Sequence, residues 1–104
     1  MRTIVLSIAI APLFAAAAMA AGYDEAGHVL AQQWCSSCHQ VEANAASAKD
    51  NAPSFTALAN MHGKDLVWVR NYLLDPHLPM MGINLSRVQI DNIVAYMRTL
   101  QTKN

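Results

Sequence analysis

The chain has 104 residues, 54% of them hydrophobic and 13% charged, where about a quarter charged is usual in a soluble domain. That length excludes two sizeable domains, a TIM barrel or a complete dinucleotide-binding enzyme. Seven Lys and Arg against seven Asp and Glu exclude a nucleic-acid binder working through a basic patch.

The apolar excess sits at the start, where sixteen of the first 20 residues are hydrophobic. Arg2 supplies a positive end, Ile4 to Phe14 an apolar middle, and Ala18-Met19-Ala20 the small residues of a cleavage site. This is the build of a secretory signal peptide over residues 1–20, cut after Ala20 or else Ala21, ahead of one domain over 21–104. A retained anchor is the rival reading, but Pro12 interrupts the stretch and polar Gly22-Tyr23-Asp24-Glu25 follows it. The mature chain is expected outside the cytoplasm, in a bacterium the periplasm, with no membrane anchor and a net charge near −1.

Asp24 to Gln33 reads as the first helix, with Asp24 and Glu25 at its start and Ala26, Val29 and Leu30 on one face. Gln40 to Ser54 has no apolar period. Ser54 caps a short helix carrying Phe55, Leu58 and Met61, which His62-Gly63 breaks. Lys64 to Leu74 reads as a third helix with Leu66, Val69 and Leu73 inward, stopped by Pro76. Ser86 and Gln89 form a capping-box pattern, and Ile90, Ile93, Val94, Met97 and Leu100 mark the buried face of the last helix. Arg87 and Asp91 stand at i, i+4 as a solvated ion pair. The expected class is all-α, with about four short helices. The expected core is Val29, Leu30, Trp34, Phe55, Leu58, Leu66, Val69, Leu73, Ile90, Ile93, Val94 and Met97.

Cys35-Ser36-Ser37-Cys38-His39 carries chemistry by itself, because Cys-x-x-Cys-His is the attachment signal for c-type haem. Two thiols one turn apart reach the two vinyl groups of one porphyrin, and the following imidazole reaches its iron. A structural disulfide, a thiol–disulfide redox centre and a zinc site are the alternatives. The redox centre wants a βαβ setting, and zinc wants a second ligand pair. Haem also answers the problem of size, since a domain of 84 residues is near the limit of a self-sufficient core.

With these residues in view, the mature chain resembles a class I cytochrome c of the small bacterial kind, along nearly its whole length. The resemblance runs through Trp34 to His39 after the first helix, Asn51-Ala52-Pro53-Ser54-Phe55, Asp75-Pro76-His77-Leu78-Pro79-Met80, and the closing helix with Ile93-Val94-Ala95-Tyr96. It implies one covalent haem c held by Cys35 and Cys38, with His39 as the proximal iron ligand. It implies that the Pro53 carbonyl receives the His39 Nδ1–H, and that Tyr72 lies on the methionine side of the haem. Gly27 and Tyr96 resemble the family's contact between terminal helices. His28 and His62 read as surface residues. Trp68 is assigned to packing, because its spacing to Tyr72 differs from that of the propionate-binding tryptophan in mitochondrial cytochromes.

Methionine is the expected distal partner of histidine. Met1 and Met19 belong to the leader, and Met61 and Met97 read as helix residues. Alignment on Pro76-His77 and Leu85-Ser86-Arg87 favours Met80 as the ligand, with Met81, where the family commonly has proline, and His77 as alternatives. The resemblance implies a monomeric periplasmic electron carrier and not an enzyme. Its partners would be redox proteins: a dehydrogenase or membrane cytochrome complex as donor, an oxidase or reductase as acceptor, with no nucleic acid. A ligand-binding haem protein for gas sensing or peroxide handling needs an open sixth position. A permanently bound haem subunit of a dehydrogenase predicts a large exposed apolar patch.

Overall fold

The computed structural model describes residues 15–45, 49–76, 78 and 80–103, with side chains from Tyr23 onward. The first part of the expected leader, residues 1–14, and His77 and Pro79 of the methionine segment lie outside the described residues. Four α-helices follow in chain order: α1 (Ala15–Trp34), α2 (Phe55–Asn60), α3 (Val67–Leu74) and α4 (Arg87–Thr99). Among the described residues there is no strand, only an isolated bridge between Lys49 and Ala52. The architecture is the all-α fold expected, and none of the described helices is long and apolar enough to cross a membrane.

The first helix departs from its expected bounds. Its described part runs from Ala15 to Trp34, so Asp24 and Glu25 lie inside it and not in its first turn. Its buried stripe also differs. Gly27, Ala31 and Cys35, at i, i+4 and i+8, are buried, Leu30 packs partly buried against the core, and Val29 and Trp34, both expected in the core, are 43% and 45% exposed. The cause is the crossing with α4. A Cβ at position 27 would stand 1.8 Å from the Asn92 carbonyl oxygen and 2.9 Å from the Tyr96 Cβ. Only a residue without a side chain lets the axes come this close.

Ser54 caps α2, its hydroxyl accepting the Ala57 N–H at 3.0 Å. His62, Gly63 and Lys64 then take left-handed backbone at φ 49, 64 and 66°. That run delays α3, which starts at Val67 and not at Lys64, with the Asp65 carboxylate accepting the Val67 N–H at 2.9 Å. The capping box of α4 is present in both directions, at 2.8 and 3.2 Å. Asp91 pairs with Arg70 of α3 at 2.7 Å and not with Arg87 of its own helix.

Eight of the expected core residues are buried: Phe55, Leu66, Val69, Leu73, Ile90, Ile93, Val94 and Met97. Ala31, Cys35, Val41, Ala59, Tyr96 and Leu100 join them. The chain end is tied back to the second helix. Asn60 donates to the Leu100 carbonyl at 3.2 Å, and Gln101 donates to the carbonyls of Ala59 and Lys64 at 3.0 and 2.8 Å. These bonds fix the end of α4, whose Asn92 and Tyr96 meet Gly27 of α1.

Candidate functional site

The end of α1 passes directly into the cysteine motif. The Cys35 N–H still bonds the Ala31 carbonyl, and the N–H groups of Cys38 and His39 both bond the Cys35 carbonyl, at 3.2 and 2.9 Å. One tight turn therefore carries Cys35, Cys38 and His39, with Cys35 buried and Cys38 exposed. Lys49 steadies the turn from outside, its ammonium donating to the Ser36 carbonyl at 2.7 Å.

The His39 ring is oriented by a backbone acceptor. Its Nδ1 lies 2.6 Å from the Pro53 carbonyl oxygen, so Nδ1–H donates there and Nε2 keeps its lone pair. Phe55 meets the ring edge-on at 5.8 Å. Pro53 is delivered by a reversal over Lys49 to Ala52, in which Asp50 and Asn51 have φ of 48 and 61°. Bonds of 3.1 and 2.7 Å between the two ends close that reversal. Two successive left-handed residues suit Asp and Asn better than other side chains. A further bond, Phe55 N–H to the Gln40 carbonyl at 2.8 Å, clamps the segment beside the histidine.

These residues open onto a cavity of about 520 Å³, within the range of about 300–1,000 Å³ usual for cofactor sites. Cys35, Cys38, His39, Pro53, Tyr72, Met80 and Met81 all line it. Phe55, Leu58, Val69, Leu73, Ile93 and Met97 supply apolar walls from α2, α3 and α4. Met80 is half-buried and packs against the core, while Met81 is 65% exposed. His77, the third candidate for the distal position, lies outside the described residues.

The residues present fit a haem. The walls are apolar and the donor set is two thiols, an imidazole and a thioether, soft to borderline groups suited to attachment and to iron. Trp68 adds a point that the sequence reading assigned to packing. Its Nε1 is buried without a hydrogen-bond partner, alone in this among the described side chains, and its indole lines the cavity. A buried indole N–H ordinarily finds an acceptor, and the carboxylates of a porphyrin supply one. The rival chemistries fit less well. Burial pushes the Cys35 thiol up to about 11, whereas a dithiol redox centre depends on a lowered value. No three His, Cys, Asp or Glu side chains come together as a metal cluster among the described residues.

Two arrangements had no signal in the sequence. His28 stacks on Tyr96 at 4.6 Å, and its Nε2 reaches the Glu42 carboxylate at 2.9 Å. The Tyr96 hydroxyl donates to the Val41 carbonyl at 2.5 Å, and burial, reinforced by the Glu42 charge, raises its pKa above the ordinary tyrosine value. Together they fasten the strand of chain after His39 to the α1–α4 crossing.

Comparison with known proteins agrees with this geometry. Residues 25–101 match the family described as Cytochrome c. The chain is 37% identical over 103 residues to a protein named cytochrome c-552 from Bradyrhizobium diazoefficiens, covering 97% of this chain and 95% of that protein. No solved structure matches.

Proposed function

The chain belongs to the cytochrome c family, as a mono-haem c-type cytochrome with covalently attached haem c, and from that premise we propose that it is a periplasmic electron carrier. Cys35 and Cys38 would hold the porphyrin through thioethers, His39 Nε2 and the Met80 sulfur would bind its iron, and residues 1–20 are a cleaved signal peptide. The haem supplies a one-electron couple at its iron. The chain's own residues would supply both of the iron's protein ligands. The Pro53 carbonyl 2.6 Å from His39 Nδ1 holds the imidazole in one tautomer and one orientation. The Met80 thioether, soft and uncharged, favours the reduced state and raises the potential relative to a second nitrogen ligand. The walls from α2, α3 and α4 exclude water and keep the site's polarity low.

The observation that carries the reading is the single cavity that gathers both cysteines, the oriented His39 and Met80. Relatives of this family are electron carriers and generally not enzymes, and a filled sixth position has no place for a substrate. The donors and acceptors are redox proteins that meet the carrier briefly. Absorption spectra of the protein in both redox states test haem, thioether attachment and coordination together. A six-coordinate low-spin spectrum in both states is the expected result. Ready binding of carbon monoxide by the unmutated ferrous protein at neutral pH would overturn the carrier reading in favour of a ligand-binding one.

A further inference from the structure

None of His28, Gln32 and Glu42 lines the haem cavity, yet their polar ends converge. His28 and Gln32 stand at i, i+4 on α1, and Glu42 follows the buried Val41 in the chain after the haem motif. The His28 Nε2 lies 3.0 and 2.9 Å from the two Glu42 carboxylate oxygens. The Gln32 amide nitrogen lies 3.2 Å from the same Nε2 and 2.9 Å from Glu42 Oε1. Protons alone satisfy this group poorly. A protonated Nε2 donates to the carboxylate but faces the Gln32 amide as donor against donor. A bare Nε2 accepts from Gln32 but turns its lone pair on two carboxylate oxygens. Either tautomer leaves a contact repulsive. The imidazole is nevertheless held in place. It stacks on the buried Tyr96 at 4.6 Å with 17° between the planes, and the Tyr96 hydroxyl is anchored on the Val41 carbonyl.

We infer that His28, Gln32 and Glu42 form a second site, separate from the haem, for a divalent transition-metal ion, with copper(II) the ion it suits best. The Nε2 lone pair and the two Glu42 oxygens are three donors. The Gln32 amide, turned about its last bond, offers its oxygen as a fourth. Metal bonds to nitrogen and oxygen are about 2.0–2.2 Å long, so donors 2.9–3.2 Å apart subtend angles close to a right angle at a shared ion. Such angles suit the tetragonal shell of copper(II) or nickel(II) better than the tetrahedron of zinc. The imidazole departs from the all-oxygen sets that calcium and magnesium take. Gln32 and Glu42 are exposed, so water completes the shell. The ion replaces the repulsive contact with attraction to every donor, and it ties α1 to the chain that follows His39.

The experiment titrates copper(II) into the ferric holoprotein, so that no electron passes between iron and copper, and follows the heat of binding and the copper EPR spectrum. One copper per chain is expected, with pulsed EPR showing a single imidazole nitrogen on it. His28→Phe keeps a ring stacked on Tyr96 and removes the nitrogen, while Glu42→Gln keeps the shape and removes the charge. Each is expected to weaken binding more than about tenfold, since a direct ligand is worth at least as much as an outer-shell partner. His62→Gln, which removes another exposed imidazole, leaves binding as it was. Copper should raise the Tm of the unmutated protein and leave that of His28→Phe unchanged. Gln32→Glu sharpens the test. Without metal it sets two carboxylates against each other and lowers Tm, and with copper it binds more tightly and recovers. Equal copper affinity in the unmutated protein and His28→Phe would overturn the inference. So would an EPR spectrum showing several nitrogens, which would place the copper on the chain's amino terminus and peptide groups. A Gln32→Glu variant that copper does not restore would also overturn it, leaving the three side chains a hydrogen-bonded brace. None of these results bears on the carrier reading, which the haem spectrum tests by itself.

Discussion

The two residues proposed to bind the iron, His39 and Met80, are presented by regions built in different ways. On the histidine side, each contact specifies a direction. The Pro53 carbonyl aims the His39 ring, the Gln40–Phe55 bond clamps the segment that carries that carbonyl, and the Tyr96 hydroxyl holds Val41. On the methionine side, between α3 and α4, the footholds are Met80 and Leu85 packed against the core. Leu78 and Met81 there are 77% and 65% exposed, and Gly82 turns the chain at φ 93°. The difference follows from the ligands. An imidazole has two nitrogens and must be held so that the right one faces the metal. A thioether has one sulfur on a flexible stem and needs only to be delivered close by.

The largest test removes the centre that both regions share. Cys35→Ala with Cys38→Ala leaves a small domain with a modest core around a cavity of about 520 Å³. The expected outcome is a largely unfolded chain, read as loss of most far-UV helical signal and of a cooperative melt. Native-like helix content in that variant would mean that the histidine-side contacts hold the fold by themselves.

The next test strikes the histidine side alone. Gly27→Ala drives a Cβ into the Asn92 carbonyl, a backbone group that cannot swing away. Overpacking of this kind costs about 2–3 kcal/mol, which lowers Tm by roughly 10–20 °C in a domain of this size. The haem spectrum should persist at low temperature, because the change alters the spacing of α1 and α4 and not the ligands.

On the methionine side the order of effects reverses. Met80→Ala is expected to open the sixth position to small exogenous ligands and to lower the reduction potential, while costing less stability than Gly27→Ala because Met80 is only half-buried. Met81→Ala should do little to either property. Electrochemistry and carbon monoxide titration of the two variants separate them. If Met80→Ala costs as much in Tm as Gly27→Ala, the contrast between the two regions fails.

How much of this was legible in the sequence depended on the range of the interaction. Local signals held: the Ser54 cap, the Ser86–Gln89 box, the break at His62-Gly63 and the haem motif each lie within a few residues and rest on backbone geometry. Contacts across the fold did not show in local pattern, although family resemblance anticipated that of Gly27 with Tyr96. Arg87 is the neighbour of Asp91 in sequence, yet Arg70 of α3 takes it in space. Apolar periodicity favoured Val29 and Trp34 in α1, whereas the crossing selected Gly27 and Ala31 for their smallness. The Pro53 acceptor was anticipated only through family resemblance, since a carbonyl leaves no mark on residue type. The unpartnered Trp68 N–H could not be foreseen, because it depends on what surrounds the indole.

The smallest expected effect is a pH dependence at the outer brace of the histidine side. Glu42 accepts from Gln32 at 2.9 Å and from His28 at 2.9 and 3.0 Å. The Gln32 bond first, then the His28 bond, lower its pKa from the ordinary 4.5, against some opposition from burial and with a further pull from the His28 charge. A carboxyl group lowered on folding binds protons more weakly in the native state than in the unfolded chain. Its contribution to stability is therefore present in full above 4.5, and it is lost as pH falls from there through the lower folded value. Glu42 is exposed, so solvent screens the pair and the contribution is modest. Glu42→Gln should melt slightly below the unmutated protein at neutral pH, and the two Tm values should converge as the solution is acidified below 4.5. A gap that stayed constant down to low pH would show that Glu42 braces Val41 and Tyr96 by shape and not by charge. Position 42 would then belong with the uncharged contacts that fix the rest of the histidine side.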